Sequence, residues 1–224
     1  MGIFDFFTGN NKEYHKNGKL KSETIEKDGI TTTKTYYENG NLESVLVDSD
    51  EVGIIEAKSY YENGKLQCED ICLDNGGILT KMYHEEEGYL YLENLSGKDS
   101  ELISMTGFHK NGKVSFFTEY KDGKPVFTKE YYESGNLSAD YVYKDGEIDG
   151  MLKNYFENGE ILSEIPFTQG KREGVAKVYD EDGDVRATIV YKDNQGVSGE
   201  CADGKQLTQA HIHNFENNGK LPCD

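Results

Sequence analysis

Tyr36-Tyr37-Glu38-Asn39-Gly40-Asn41-Leu42 sets an aromatic residue four places before a glycine and an aliphatic residue two places after it. The same frame begins with Tyr14-His15-Lys16-Asn17-Gly18-Lys19-Leu20. It returns at Gly64, Gly88, Gly112, Gly135, Gly159, Gly183 and Gly219, in steps of 22, 24, 24, 24, 23, 24, 24 and finally 36 residues. The aromatic keeps its place in eight of the nine copies, and at Gly88 one inserted residue moves it to Tyr83. Nine copies define a tandem repeat. Units of that kind contact mainly their neighbours, so such a chain offers an extended surface rather than a catalytic pocket.

The turns follow from the residues. Asn-Gly fills the turn at 17-18, 39-40, 63-64, 111-112, 158-159 and 218-219, with Ser134-Gly135 and Asp182-Gly183 in the same slot. Asn tolerates positive φ and Gly adopts it freely, so these dipeptides predict two-residue type I′ hairpin turns. Asp28-Gly29, Asp122-Gly123, Asp145-Gly146 and Gln169-Gly170 supply a second turn about halfway through most units. Two turns leave two strands per repeat. The segments between them, such as Leu137 to Tyr143 and Ile161 to Thr168, are rich in β-branched and aromatic residues and lack helical spacing.

The fold class expected is all-β: an elongated antiparallel meander of hairpin repeats of 23 to 24 residues in a twisted sheet. Equivalent rings of successive units are expected to stack as a shared core. A cap over residues 1–11, with Phe4, Phe6 and Phe7, is expected to shield the first hairpin. Residues 12–192 form the repeats, and 193–224 an irregular C-terminal repeat.

The stretch Gly146-Glu147-Ile148-Asp149-Gly150-Met151-Leu152-Lys153-Asn154-Tyr155-Phe156-Glu157-Asn158-Gly159 resembles the bacterial variant of the MORN repeat. Gly170-Lys171-Arg172-Glu173-Gly174-Val175-Ala176-Lys177-Val178-Tyr179 follows the same plan. In tandem, these units resemble the YwqK-like antitoxin family, which implies a cytoplasmic immunity partner of a secreted bacterial toxin. The likeness runs over about residues 12–192 and is sharpest from 107 to 192. Around Gly53, Gly76 and Gly97 the Gly-x-x-x-Gly element is missing, and irregular units are expected there.

Composition agrees with a thin repeat sheet: 35% of residues are hydrophobic, 29% are charged, and 25 are glycine. There is no apolar run of membrane-spanning length, and the opening residues lack a basic n-region and an adequate apolar h-region, so a cytoplasmic protein is expected. Cys68, Cys72, Cys201 and Cys223 are too few for a disulfide framework, and reduced thiols are expected. His211 and His213 would share a strand face, but no third ligand at suitable spacing completes a metal site, and no cofactor is expected. Glu38, Glu62, Glu133 and Glu157 recur once per repeat, as turn-flanking surface rather than a unique general acid. Phosphate loops and nucleophile elbows are missing as well, so the expectation is a non-enzymatic protein.

Charge breaks the repeat symmetry. Of a net −18, residues 41–106 contribute −11, from 15 acids and four lysines. That field opposes nucleic acid and anionic lipid and favours a basic protein partner, a toxin or effector whose groove the acidic repeats would cover. The partner-binding residues expected are Asp48, Asp50, Glu51, Glu69, Asp70, Asp74, Glu85, Glu86 and Glu87. A general scaffold that recruits a host or envelope protein is the second reading. An aromatic glycan-binding array is the third, weakened by the lack of tryptophan.

Overall fold

The computed structural model describes residues 10–223. Apart from Asn10 and Asn11, the expected N-terminal cap lies outside the described residues. The described chain is nineteen antiparallel strands and one helix, divided into two compact units at Gly112 and Lys113.

The first unit holds β1 (Asn10–Tyr14), β2 (Leu20–Lys27), β3 (Ile30–Tyr36), β4 (Leu42–Ser49), β5 (Gly53–Tyr60), β6 (Leu66–Cys72), β7 (Ile78–Tyr83), β8 (Leu90–Ser96) and β9 (Leu102–Phe108). Each pairs antiparallel with the next. The second unit holds β10 (Val114–Lys121), β11 (Lys124–Tyr131), β12 (Leu137–Lys144), β13 (Glu147–Ile148), β14 (Gly150–Tyr155), β15 (Ile161–Thr168), β16 (Lys171–Arg172), β17 (Gly174–Tyr179), β18 (Val185–Lys192), β19 (Gln195–Cys201) and α1 (Gln209–Asn218). β13 and β14 both pair with β12, and β16 and β17 both pair with β15, so each couple fills one strand position. Two strands per repeat is the expected plan.

The turn type at Asn-Gly differs from the sequence expectation. At Gly18 the amide donates to the His15 carbonyl (2.9 Å) and the His15 amide donates to the Lys19 carbonyl (2.8 Å), closing a three-residue loop. Gly18 has φ 82° and Gly159 φ 95°, while the asparagine before each stays out of the positive-φ region. This is a type I turn completed by a left-handed glycine, not type I′. Asparagine serves it differently: Asn17, Asn39, Asn63 and Asn158 each accept, through Oδ1, the amide two residues on. Asn17 Nδ2 also donates to the Glu38 carbonyl of the next turn (2.9 Å), as Asn39 does to Glu62 (3.1 Å). The type I′ geometry sits at the second turns. There Asp28 (φ 54°) precedes Gly29 (74°), and Asp122 (51°) precedes Gly123 (72°). Around Gly76 and Gly97 these second turns revert to three-residue loops, the irregularity expected for the middle units.

The expected stack of rings is also replaced. Equivalent residues of successive repeats stand two strands apart, about 9.5 Å, beyond the roughly 4.5–7 Å of an aromatic pair. The repeat tyrosines are half-buried and bond through their hydroxyls instead: Tyr36 to Glu23 (2.8 Å), Tyr83 to Glu69 (2.6 Å), Tyr155 to Asp140 (3.0 Å) and Tyr179 to Glu164 (2.8 Å). The buried apolar core lies in the second unit, where Ile212 and Phe215 of α1 pack with Ala187, Ile189 and Tyr191.

The C-terminal region departs most from a repeat. Phe215-x-x-x-Gly219 is the end of α1, with Gly219 as left-handed cap (φ 70°) and its amide bonded to the Phe215 carbonyl. Cys201 and Cys223 are joined in a disulfide, against the expected free thiols, while Cys68 and Cys72 are free. Folding of the tail over β19 brings the two Cα atoms to 5.4 Å, a proximity that spacing does not disclose.

Candidate functional site

Cross-strand partners point to the same side of a sheet. In the first unit the pairings carry one row through Lys12, Glu23, Lys34, Val45, Lys58, Glu69, Lys81 and Glu93. The second unit repeats it with Lys129, Asp140, Lys153, Glu164 and Lys177. Lysine alternates with acid except at Val45. Lys12 lies 3.5 Å from Glu23, Lys81 3.7 Å from Glu93, and Lys153 3.8 Å from Glu164. The repeat tyrosines close this row from the next hairpin. The Tyr36 hydroxyl, then the Lys12 ammonium, hold the Glu23 carboxyl below its ordinary value. Burial, with the Glu69 carboxylate second, pushes the Tyr83 phenol up to about 12, and burial with Asp140 does the same for Tyr155. The acids of this row are therefore committed to the fold. Sequence reading missed it, although lysine and acid at positions 12, 23 and 34, and again at 58, 69 and 81, already stand about half a repeat apart.

The nine expected partner residues are not gathered in one patch. Asp48 is the last residue but one of β4, Asp50 and Glu51 lie in the β4–β5 turn, and Asp74 in the β6–β7 turn. Glu85, Glu86 and Glu87 lie in the β7–β8 turn, at the opposite margin, because successive turns of a meander fall on opposite ends of strands some 20–25 Å long. Glu69 and Asp70, adjacent on β6, face opposite sides of the sheet.

Three of the nine are engaged within the chain. Glu69 accepts from Tyr83 and faces Lys58 (4.0 Å), Asp70 accepts from Thr80 (2.5 Å), and Glu87 pairs with Lys110 (2.6 Å). The Lys110 contact holds the Glu87 carboxyl below its ordinary value. Among the described residues no ion pair engages Asp48, Asp50, Glu51, Asp74, Glu85 or Glu86. All of these except Asp48 are exposed.

His211 and His213 lie in α1 rather than on a strand, and two residues apart on a helix means about 200° around its axis. His211 completes the capping box with Thr208, and His213 bonds Asn217. Among the described residues no group of three or more His, Cys, Asp or Glu could hold a metal ion.

Comparison with known proteins matches the chain to the MORN repeat variant family at residues 7–25, 31–46, 55–70, 128–145, 148–169 and 172–193, just over half of its length. No curated protein matches. Among solved structures, S. aureus TarM, as a mutant in complex with Fondaparinux, alpha-GlcNAc-glycerol and UDP, aligns at 8% identity and TM-score 0.37, over 48% of this chain and 21% of that one. The Photorhabdus luminescens Tc holotoxin pore aligns at 12% identity and TM-score 0.24, over 88% and 13%. A porin-like protein from Bacteroides uniformis aligns at 14% and TM-score 0.24, over 84% and 85%.

Proposed function

The chain belongs to the MORN repeat variant family, and on that footing we propose that it is a protein-binding repeat scaffold which acts as an immunity protein, covering a basic toxin or effector with its acidic surface. The observation that carries this reading is the contrast between its charges. Acids in the middle of the sheet are matched by lysine, tyrosine or threonine, whereas those in the turns of residues 41–106, apart from Glu87, are exposed and, among the described residues, have no ion pair. Uncompensated acids facing solvent cost a scaffold self-repulsion and favour a cationic protein through complementary potential and faster encounter.

The test takes a candidate toxin, the basic protein encoded beside this chain. Its expression should arrest growth, and co-expression of this chain should restore growth and yield a complex whose association rate falls as salt rises. Normal growth without this chain, or a complex indifferent to salt, overturns the reading.

A further inference from the structure

Beside the charged row, on the same face and two residues nearer one margin, the first unit carries an aliphatic row. Cross-strand pairing runs through Ile25, Val47, Ile71, Leu79 and Leu95, interrupted by Thr32 and Glu56. Ile25 is 40% and Ile71 37% exposed, and nearer the margin Ile30 reaches 42% and Val52 73%. An open aliphatic strip with a charged rim marks an interaction surface.

The second unit supplies the comparison that identifies what is missing. There the residue after Gly123 and after Gly170 is lysine, with Glu147 after Gly146 between them, and each lysine reaches the acid of a following turn: Lys124 pairs with Asp145 (3.4 Å) and Lys171 with Asp193 (2.9 Å). In the first unit the same position, after Gly29 and Gly53, holds Ile30 and Ile54. The acid of the following turn is nonetheless present. Asp50 Oδ2 stands 3.8 Å from where a side chain on Gly29 would begin, and Asp74 lies in the turn that follows Gly53. Ile30 thus leaves Asp50 unmatched and adds to the apolar strip, and Ile54, which pairs with Asp48 on the other side of the sheet, leaves Asp74 without a lysine.

We propose that this margin of the first unit docks an amphipathic cationic segment of a protein partner, whose apolar side chains cover Ile25, Ile30 and Ile71 and whose Lys or Arg residues supply the cations that Asp50, Glu51 and Asp74 lack. This rests on the protein-binding reading above and names the margin and the partner chemistry. The segment replaces what Lys124 and Lys171 provide from within the chain.

The test uses the full chain and fluorescent peptides of equal length, one of alternating Leu and Lys, one of Lys alone and one of alternating Leu and Glu, read by anisotropy at two salt concentrations. The Leu–Lys peptide should bind most tightly and the Leu–Glu peptide not at all. Ile30→Lys with Ile54→Lys, which installs the second unit's cations, should weaken Leu–Lys binding at least about tenfold, a change of 1.4 kcal/mol, with no loss of melting temperature. Asp50→Asn with Asp74→Asn should weaken it similarly without adding bulk, and Glu85→Gln with Glu86→Gln at the far margin should leave it unchanged. Equal binding of Leu–Lys and oligolysine, or sensitivity to the far margin alone, overturns the proposal. If the peptides fail while growth rescue by this chain persists, the docking surface is wrong and the immunity reading stands. Peptide binding without rescue gives the reverse.

Discussion

Gly196→Ala tests how α1 is seated on the sheet. Gly196 does not lie in the positive-φ region, so its backbone admits alanine, and the unfolded-state effect alone would favour the change by about 0.4–1 kcal/mol. Packing opposes it. A methyl group there would run into Ile212 Cγ2 and stand 3.5 Å from Ile189 Cγ2 and from Tyr191 Cε1. A normal carbon contact is about 3.5–4.0 Å, so Ile212, itself 2% exposed, has to retreat with its helix or change rotamer. Overpacking of that kind costs about 1–3 kcal/mol. Lifting α1 instead forfeits part of the burial of Ile212 and Phe215, about 1.5–3 kcal/mol each when complete. The expected net loss is about 1–2 kcal/mol in urea unfolding, with faster hydrogen exchange across residues 209–218. Ile212→Ala alone should cost about 2–5 kcal/mol. In that background Gly196→Ala should be neutral or stabilising, since the offending Cγ2 is gone, which makes the cycle non-additive. An additive cycle, or a Gly196→Ala variant as stable as the parent, refutes the seating described here.

Gly159→Val should lower stability by more than about 1 kcal/mol in a thermal melt, because φ 95° is a steric outlier for a β-branched residue, whereas Asn158→Asp, which keeps the Oδ1 acceptor, should be nearly neutral. Reducing the Cys201–Cys223 bond, which spans 22 residues, should cost about 3 kcal/mol in urea unfolding with and without reductant, and an unchanged midpoint would deny the bond. Tyr83 and Tyr155 have folded phenol values raised to about 12 from 10.0, so between those pH values the folded state holds protons that the unfolded state releases. Stability should therefore be intact below pH 10 and fall as pH rises toward 12, and phenolate absorbance should show late-titrating tyrosines that Glu69→Gln brings earlier for Tyr83.

The repeat register was legible because each glycine slot needs a left-handed backbone and each flank needs an apolar residue. Those two demands fix where the strands begin and end. Which hairpin loop each slot adopts was not legible, since Asn-Gly suits type I′ and also suits a type I turn followed by a left-handed glycine. The number of residues left between paired strands decides it: Tyr36 pairs with Leu42, which encloses five residues and requires the longer loop. Phe215-x-x-x-Gly219 was misleading for a related reason, because an aromatic four places before glycine also describes the last turn of a helix. The Thr208 capping box and the buried pair Ile212 and Phe215 separate the two cases. The acidic excess of residues 41–106 was plain in the sequence, but the division of those acids into committed and uncompensated ones depends on which strand faces which. Glu69 and Asp70 are neighbours in the chain and belong to different surfaces.

That division gives the two units different roles on one scaffold. At the type I′ turn margin, the second unit pairs the turn acids Asp145 and Asp193 with Lys124 and Lys171, and carries a helix pinned by a disulfide over its other face, where Ala176, Ala187 and Ile189 are buried. The first unit has isoleucine where those lysines stand, no fully buried side chain among its described residues, and acids left facing solvent. The residue after the turn glycine lies outside both the turn and the charged row, so it can vary between a cation that closes the surface and an aliphatic that opens it. Under the docking proposal, substituting that one position alters what the margin binds while the hydrogen-bonded frame beneath stays the same. Ile30→Lys is accordingly expected to convert a binding turn into a structural one without unfolding the sheet.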